Sequence, residues 1–126
     1  MDKKILTQVV REIKRSLDNW DIKRAISNTK DETQTRINLI NPLFDILGYD
    51  GYDIVHEYLA DIEGSRGRKV DMAVTLGKKN PIILIECKSA TNALTLHNLR
   101  QLNDYCTYTQ SVKIGILTNG LVFDFY

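Results

Sequence analysis

The sequence has little of what marks several large classes of protein. Its 126 residues include only two cysteines, two prolines and seven glycines, too few for a disulfide scaffold, a proline-rich linker or a collagen-like repeat. No apolar run approaches the roughly 20 residues that cross a bilayer, and the N-terminus has no apolar signal-peptide core. We therefore expect a cytoplasmic protein of one domain, with reduced cysteines and no membrane association.

Charge is nearly balanced overall but unevenly distributed. Residues 1–30 carry eight basic and four acidic side chains (+4), residues 31–65 one and eight (−7), and residues 66–126 eight and four (+4), for a net charge of +1. Such an acidic block is typical either of a solvated surface or of a site that meets phosphate through a bound cation. The chain has no GxxxxGK[ST] phosphate-binding loop, so we expect no nucleotide site in it.

Two helices are predicted in the N-terminal part of the chain. Residues 5–20 carry apolar side chains at helical spacing, and a second stripe of this kind follows residue 31. We expect residues 21–31 to form a loop or short turn between them. Thr29 and Glu32 have the spacing of a capping box. Pro42 should kink the second helix or begin its second half.

The rest of the chain predicts three strands, a helix and two strands. The third strand begins with Ile82-Ile83-Leu84-Ile85, which is apolar on both faces and therefore central. The predicted strands lie at residues 54–59, 69–76, from 82, 112–117 and 121–126, and the predicted helix lies at 95–109. This order predicts an α/β sandwich in which a mixed sheet of about five strands is flanked by helices.

The pattern that carries chemistry is Asp71 followed by Glu86-Cys87-Lys88. An acid two residues before a lysine occurs four times in the chain, but only Glu86 and Lys88 follow a continuous apolar strand. Residues two apart on a strand share a face, so these two side chains should lie together, with Cys87 turned to the core. Asp71 comes from the preceding strand, across a hairpin that turns at residues 77–81.

Two carboxylates and an ammonium in one patch suit metal-assisted hydrolysis of a phosphodiester. Hard oxygen ligands hold Mg²⁺, which keeps some of its waters, and a neighbouring lysine orients the attacking water. The alternative is an ordinary Glu86–Lys88 ion pair at the edge of a strand. A zinc site is not indicated, because the histidines and cysteines lack paired ligand spacing (His56, Cys87, His97 and Cys106).

Several separate signatures resemble the N-terminal nuclease domain of type I restriction enzyme R subunits, in the PD-(D/E)xK superfamily. The resemblance covers roughly residues 30–126. Its signatures are Glu32-Thr-Gln-Thr-Arg36, Leu39-Ile-Asn-Pro-Leu43, Leu47-Gly-Tyr49, Val70-Asp71, Ile85-Glu-Cys-Lys88, Gln101-Leu-Asn-Asp-Tyr105 and Gly115-Ile-Leu-Thr-Asn-Gly120. It implies a restriction-endonuclease-like fold in a single domain, with a helix and connecting loop at 1–30 and a catalytic core at 31–126.

The resemblance also implies an activity and a set of roles. It implies a Mg²⁺-dependent endonuclease, with Mn²⁺ as a substitute, that hydrolyses DNA. Asp71 and Glu86 would bind the metal with the backbone carbonyl of Cys87, and Lys88 would complete the catalytic set. Glu32, as a further candidate ligand, and the pair Gln101 and Tyr105 would support them. Complete R subunits carry a motor that this chain lacks, so a motor or specificity subunit or domain is an expected partner.

Several alternatives stay open from sequence. Glu32 has a sufficient role in the capping box. Gln101 and Tyr105, which we place on the helical face opposite the stripe Leu99, Leu102 and Cys106, would look the same on a solvated surface. His97 is either a DNA phosphate contact or a lone surface histidine. The chain as a whole is either a nuclease or a catalytically inactive module for nucleic-acid binding or assembly. The sequence also leaves open whether it forms a homodimer.

Overall fold

The computed structural model describes residues 2–59 and 68–126 and has the predicted α/β architecture. The elements are α1 (Lys3–Asn19), α2 (Ile22–Ser27), α3 (Glu32–Thr35), a π-helical turn (Arg36–Ile40), α4 (Asn41–Ile46), a 3-10 turn (Gly51–Asp53), β1 (Ile54–Leu59), β2 (Lys69–Val74), β3 (Ile83–Cys87), α5 (Leu96–Tyr108), β4 (Ile114–Thr118) and β5 (Phe123–Phe125). No helix among these residues combines the length and the apolar character that a membrane span needs.

The strands form one mixed sheet in the order β1-β2-β3-β4-β5. β3 and β4 are parallel because α5 connects them, and the other neighbouring pairs are antiparallel. β3 is central and every residue in it is buried, as its continuous apolar sequence predicts. The expectation of a five-stranded mixed sheet flanked by helices is confirmed.

Each face of the sheet has its own apolar cluster. On one face, Ile40 and Phe44 from the π-helical turn and α4 pack against β2, β3 and β4, where Ile85 is fully buried. On the other face, Leu102 of α5 packs against Leu84 and other residues of the strands. Alternate residues of β3 thus enter opposite clusters, and this alternation decides which face each polar residue at its end will join.

The segment between the first two long helices differs from the prediction. We expected a loop at 21–31, but Ile22–Ser27 forms α2, whose N-cap is Asp21. The Asp21 carboxylate accepts the Arg24 N–H at 3.1 Å, and this cap lets a helix of only six residues form against the π-helical turn. Short helices depend on such caps and contacts, since propensity alone does not stabilise them.

The predicted capping box at Thr29 and Glu32 is also wrong. The N-cap of α3 is Asp31, whose carboxylate accepts the Gln34 N–H at 2.7 Å, and the Gln34 side chain accepts the Lys30 N–H at 2.9 Å. Thr29 instead donates its hydroxyl to the Ala25 carbonyl. Glu32 is therefore the first residue of α3, and its carboxylate takes no part in the cap.

Pro42 begins the second half of its helix, as predicted. It is the second residue of α4, directly after the π-helical turn, and it cannot supply the N–H that an unbroken helix would use there. The turn before it is widened: the Asn41 N–H donates to the Arg36 carbonyl, five residues back. A π-helical turn inserts an extra residue into the helix, and here it accommodates the proline between α3 and α4.

Candidate functional site

The site forms where regular pairing between β2 and β3 stops. Backbone pairing is in register at Met72 and Ile85, so the next position brings Asp71 opposite Glu86. There the Cys87 N–H donates to Oδ2 of Asp71 at 2.7 Å, and the Asp71 N–H donates to Oε1 of Glu86 at 3.3 Å. Each carboxylate accepts an amide from the opposite strand, which fixes two acidic side chains in one place at the end of the hairpin.

Lys88 lies beside Glu86, as the spacing of two residues predicts. Its Nζ is 3.4 Å from Oε2 of Glu86, and the two side chains are 23% and 4% exposed. The Lys88 backbone N–H donates to the Thr118 carbonyl, which extends the parallel pairing of β3 and β4 by one residue. The Lys88 ammonium is therefore partly exposed to solvent, whereas the Glu86 carboxylate beside it is buried.

Cys87 alternates to the opposite face and is fully buried, as predicted. Its sulfur lies 3.9 Å from that of Met72, and burial raises the pKa of the thiol far above its usual value. The side chain is thus inert, and only its backbone groups face the site.

Asp71 and the buried Glu86 are two acids whose negative charges are costly to keep so close together out of water. Burial and, next, the nearby charge of Asp71 raise the pKa of Glu86 to about 7, and Lys88 and the Asp71 N–H offset only part of this rise. Burial also raises the pKa of Asp71, although the Cys87 N–H, Arg36 and Lys88 act against the rise. A bound metal ion would remove much of this cost, because it favours the charged form of both groups.

Glu32 adds a third acid at the margin of this site. Burial raises the pKa of its carboxyl, the charge of Asp71 raises it further, and Lys88 lowers it. Because Asp31 supplies the cap of α3, the Glu32 carboxylate stays available to the site. In the described part of the chain, however, no three His, Cys, Asp or Glu side chains converge closely enough to hold a metal ion by themselves.

The donor set fits a hard divalent cation that retains water. Asp71 and Glu86 provide carboxylate oxygens. The backbone carbonyl of Cys87 and the carboxylate of Glu32 are further candidate ligands. Mg²⁺ is commonly held by one or two carboxylates with the remaining positions filled by water and substrate phosphate, so two close carboxylates suffice. The single lysine neighbour leaves the pair with a net negative charge, which suits a cation.

Sequence reasoning did not single out Arg36 and Glu57 as site residues. Nη1 of Arg36 donates to the backbone carbonyl of Asp71 at 3.3 Å and lies 2.9 Å from Oε1 of Glu57. Glu57 adopts φ 53°, an uncommon conformation for a residue with a side chain, at the position opposite Asp71 on β1. One signal was available: Arg36 is the single basic residue in the acidic block 31–65.

The predicted placement of Gln101 and Tyr105 is wrong for the tyrosine. Tyr105 is 2% exposed and belongs to the same buried cluster as Leu102, so the two do not lie on opposite faces of α5. The pKa of Tyr105 is raised by burial and then by the charge of Glu86, and a hydrogen bond from Gln101 lowers it. The pair therefore borders the acidic site, while His97, one turn earlier, is exposed.

Comparison with known proteins identifies one family. The family model described as type I restriction enzyme R protein N terminus matches residues 31–126, a range that contains every site residue named above. No curated protein and no solved structure matches the chain. Since the family model spans well over half of the sequence, the chain belongs to the family of type I restriction enzyme R protein N-terminal domains.

Proposed function

We propose that this domain is a Mg²⁺-dependent endonuclease that hydrolyses DNA phosphodiester bonds. The observation that carries the proposal is that Asp71, Glu86 and Lys88 meet where the pairing of β2 and β3 stops. Glu86 and Lys88 lie two residues apart on one face at the end of β3, and Asp71 lies opposite Glu86 on β2. Membership in a restriction-enzyme family supports a role on DNA. The cytoplasm, where restriction acts, is the compartment that this role implies.

The roles follow from charge and position. Asp71 and Glu86, with the Cys87 carbonyl, would hold Mg²⁺, and Glu32 would reach it directly or through water. When bound, the metal supplies positive charge that neutralises phosphate oxygens and makes a coordinated water more acidic. The Lys88 ammonium would orient the attacking water and stabilise the negative charge that develops on the phosphate. The water oxygen bonds to phosphorus and releases a proton to solvent, while the strand's P–O bond breaks and its leaving oxygen takes up a proton from water. Gln101 and Tyr105 would border the substrate beside Glu86.

Substitution of Lys88 tests the proposal most sharply. Lys88→Ala should abolish cleavage of duplex DNA in Mg²⁺ while metal affinity changes little, because lysine is not a ligand. Lys88→Arg should also fail, since a wide, permanently charged guanidinium cannot replace a compact ammonium beside a water. Asp71→Ala should lose both cleavage and metal binding. Cleavage is measured by gel assay and metal binding by calorimetry.

The matched control is Lys113→Ala, which removes an exposed lysine just before β4 and should cut at the wild-type rate. The assay is run with the isolated chain and with the motor and specificity subunits that we propose as partners. If Lys88→Ala cuts as fast as wild type in that assembly, Glu86 and Lys88 form an ordinary ion pair. If wild type binds DNA and metal but never cuts, the domain is an inactive binding or assembly module.

A further inference from the structure

A basic cleft lies next to the acidic site, on the other side of Tyr105. It has a volume of about 410 Å³ and opens between the start of β2 and the exposed side of α5. Arg68 and Lys69 form one wall, and His97 and Arg100 form the other. The sequence offered His97 as one possible DNA phosphate contact, and the catalytic and metal-binding roles proposed above use none of these four side chains.

The charge of the cleft favours an anionic ligand. Arg68, Lys69 and Arg100 are permanently positive near neutral pH, and Asp104 is the one acid among the lining residues. In residues 2–59 and 68–126, none of these three cations forms an ion pair. Clustered cations on concave walls attract anions more strongly than the same charges spread over a flat surface.

Tyr105 and Gln101 connect this cleft to the acidic site. Both line the cleft, and Tyr105 is close enough to Glu86 and to Arg68 that the two charges shift the pKa of its hydroxyl in opposite directions. The cleft and the carboxylates are therefore separated by about one buried side chain. Along one strand of duplex DNA a phosphate occurs every 3.4 Å or so of helix axis, so a strand cut at the carboxylates must carry further phosphates past Tyr105.

We propose that this cleft binds backbone phosphates of the DNA strand next to the phosphate that is cut. The inference rests on the proposed nuclease function for the position of the cut, but binding at the cleft needs no metal and no catalysis. Arg68 and Arg100 suit the task because a guanidinium donates two parallel hydrogen bonds to one phosphate. Contacts of this kind position the strand and do not read its sequence.

Removal of two cations from the cleft tests the proposal. The variant is Arg68→Gln/Arg100→Gln in the full chain, and the probe is a labelled 20-base-pair duplex titrated in EDTA at several salt concentrations, so that no strand is cut. We expect at least about tenfold weaker binding at low salt, and a slope of log K against log salt that is smaller by roughly 2, since each phosphate contact contributes about 0.9.

The matched control is Lys78→Gln/Lys79→Gln, which removes the same charge from the exposed turn beyond the opposite end of β2. All four residues are exposed, so both variants should melt like wild type. Either of two results would overturn the proposal. Equal weakening in the two variants would mean that only the net charge of the protein affects DNA binding, and no weakening in either would mean that these side chains do not contact DNA.

The design also separates this inference from the nuclease function. If the arginine variant binds normally while Lys88→Ala fails to cut, the cleft is not the phosphate site and the nuclease proposal stands. If the arginine variant binds weakly while Lys88→Ala and Asp71→Ala still cut, the cleft binds DNA and the chemistry lies elsewhere.

Discussion

At Asp71 the hydrogen bonds between β2 and β3 run from backbone N–H groups to side-chain carboxylates, where a regular sheet would use backbone carbonyls. The Asp71 carboxylate accepts the Cys87 N–H, the Asp71 N–H donates to the Glu86 carboxylate, and the Asp71 carbonyl accepts from Arg36 of the π-helical turn. A side chain that is already held by a backbone N–H, on a residue whose own backbone is held on both sides of its Cα, loses little further freedom when it binds a metal. Such preorganisation is what a metal ligand needs, and buried acids are kept in this arrangement despite the cost of their desolvation.

The raised pKa of Glu86 makes a prediction about stability without metal. Because the folded pKa of about 7 exceeds the usual value of 4.5, the folded state binds the proton more tightly than the unfolded state does between these pH values. In EDTA the free energy of unfolding should therefore fall as pH rises from about 5 to about 8, by up to about 3 kcal/mol. Urea denaturation at several pH values measures this slope.

Glu86→Gln should remove most of that slope and keep the fold, because the amide oxygen can still accept the Asp71 N–H. Glu12→Gln, the same change on exposed α1, is the control and should keep the slope. If Glu86→Gln unfolds the protein, Glu86 has a structural role and its assignment to the site is wrong.

Arg36 makes two contacts whose contributions can be separated. Arg36→Met leaves a partly buried Asp71 carbonyl without its donor, which should cost about 1–3 kcal/mol. Glu57→Gln removes only the ion pair, and Glu57 is 50% exposed, so the loss should be about 1 kcal/mol or less. Chemical denaturation of both variants decides between the contacts. An equal loss in both would mean that the ion pair, and not the bond to the carbonyl, is the main contribution of Arg36.

Among the elements, the β2–β3 hairpin could be predicted from sequence, whereas the contacts that other elements make with it could not. The period of two along β3 and the turn at 77–81 were sufficient to bring Glu86, Lys88 and Asp71 together. Strand β1 was also predicted with its observed bounds, Ile54–Leu59. These features depend on local pattern and on pairing between neighbouring segments, and both are visible in sequence.

The contacts that sequence did not reveal join distant elements. Arg36 meets Asp71 across 35 residues, and no local pattern reports such a contact. The unusual φ of Glu57 depends on its position opposite Asp71 rather than on its own type. Tyr105 was assigned to the wrong side of α5 because spacing gives the period of a helix, but the sheet decides which side is buried.

A pair of leucines tests where the elements pack. Leu84 on β3 is fully buried, and Leu6 on α1 is 48% exposed, so the same truncation removes the same atoms from two environments. Leu84→Ala should cost about 2–5 kcal/mol by leaving a cavity, and Leu6→Ala should stay within about 0.5 kcal/mol. Denaturant titrations provide both values. A large loss for Leu6→Ala would show that Leu6 is buried in solution, against another molecule or against a part of this chain that does not cover it in the structure.

The chain as a whole divides near residue 31 into an N-terminal part, which the family model does not cover, and the family region 31–126. The family model begins at residue 31, after α1 and α2, and no residue of α1 is buried. The acidic site at Asp71 and Glu86 and the basic cleft both lie within the family region, and they are neighbours on either side of Tyr105. Such an arrangement would attract cations and phosphate backbone at adjacent places, which is the charge distribution that the proposed metal-assisted cleavage of DNA needs.

Metal binding should stabilise the entire fold, because the ligands come together only when β2 and β3 pair. A ligand that binds only the folded state adds about 1.4 kcal/mol when its free concentration is ten times Kd, which raises the melting temperature of a chain of this size by roughly 4 °C. We expect this rise with Mg²⁺ or Mn²⁺ and not with K⁺ at equal ionic strength. Asp71→Asn should lose it, since the amide keeps the acceptor for the Cys87 N–H but not the charge that holds the metal. An equal rise in Asp71→Asn would place the metal elsewhere, and equal melting of wild type in EDTA and in millimolar Mg²⁺ would remove the metal from the proposal.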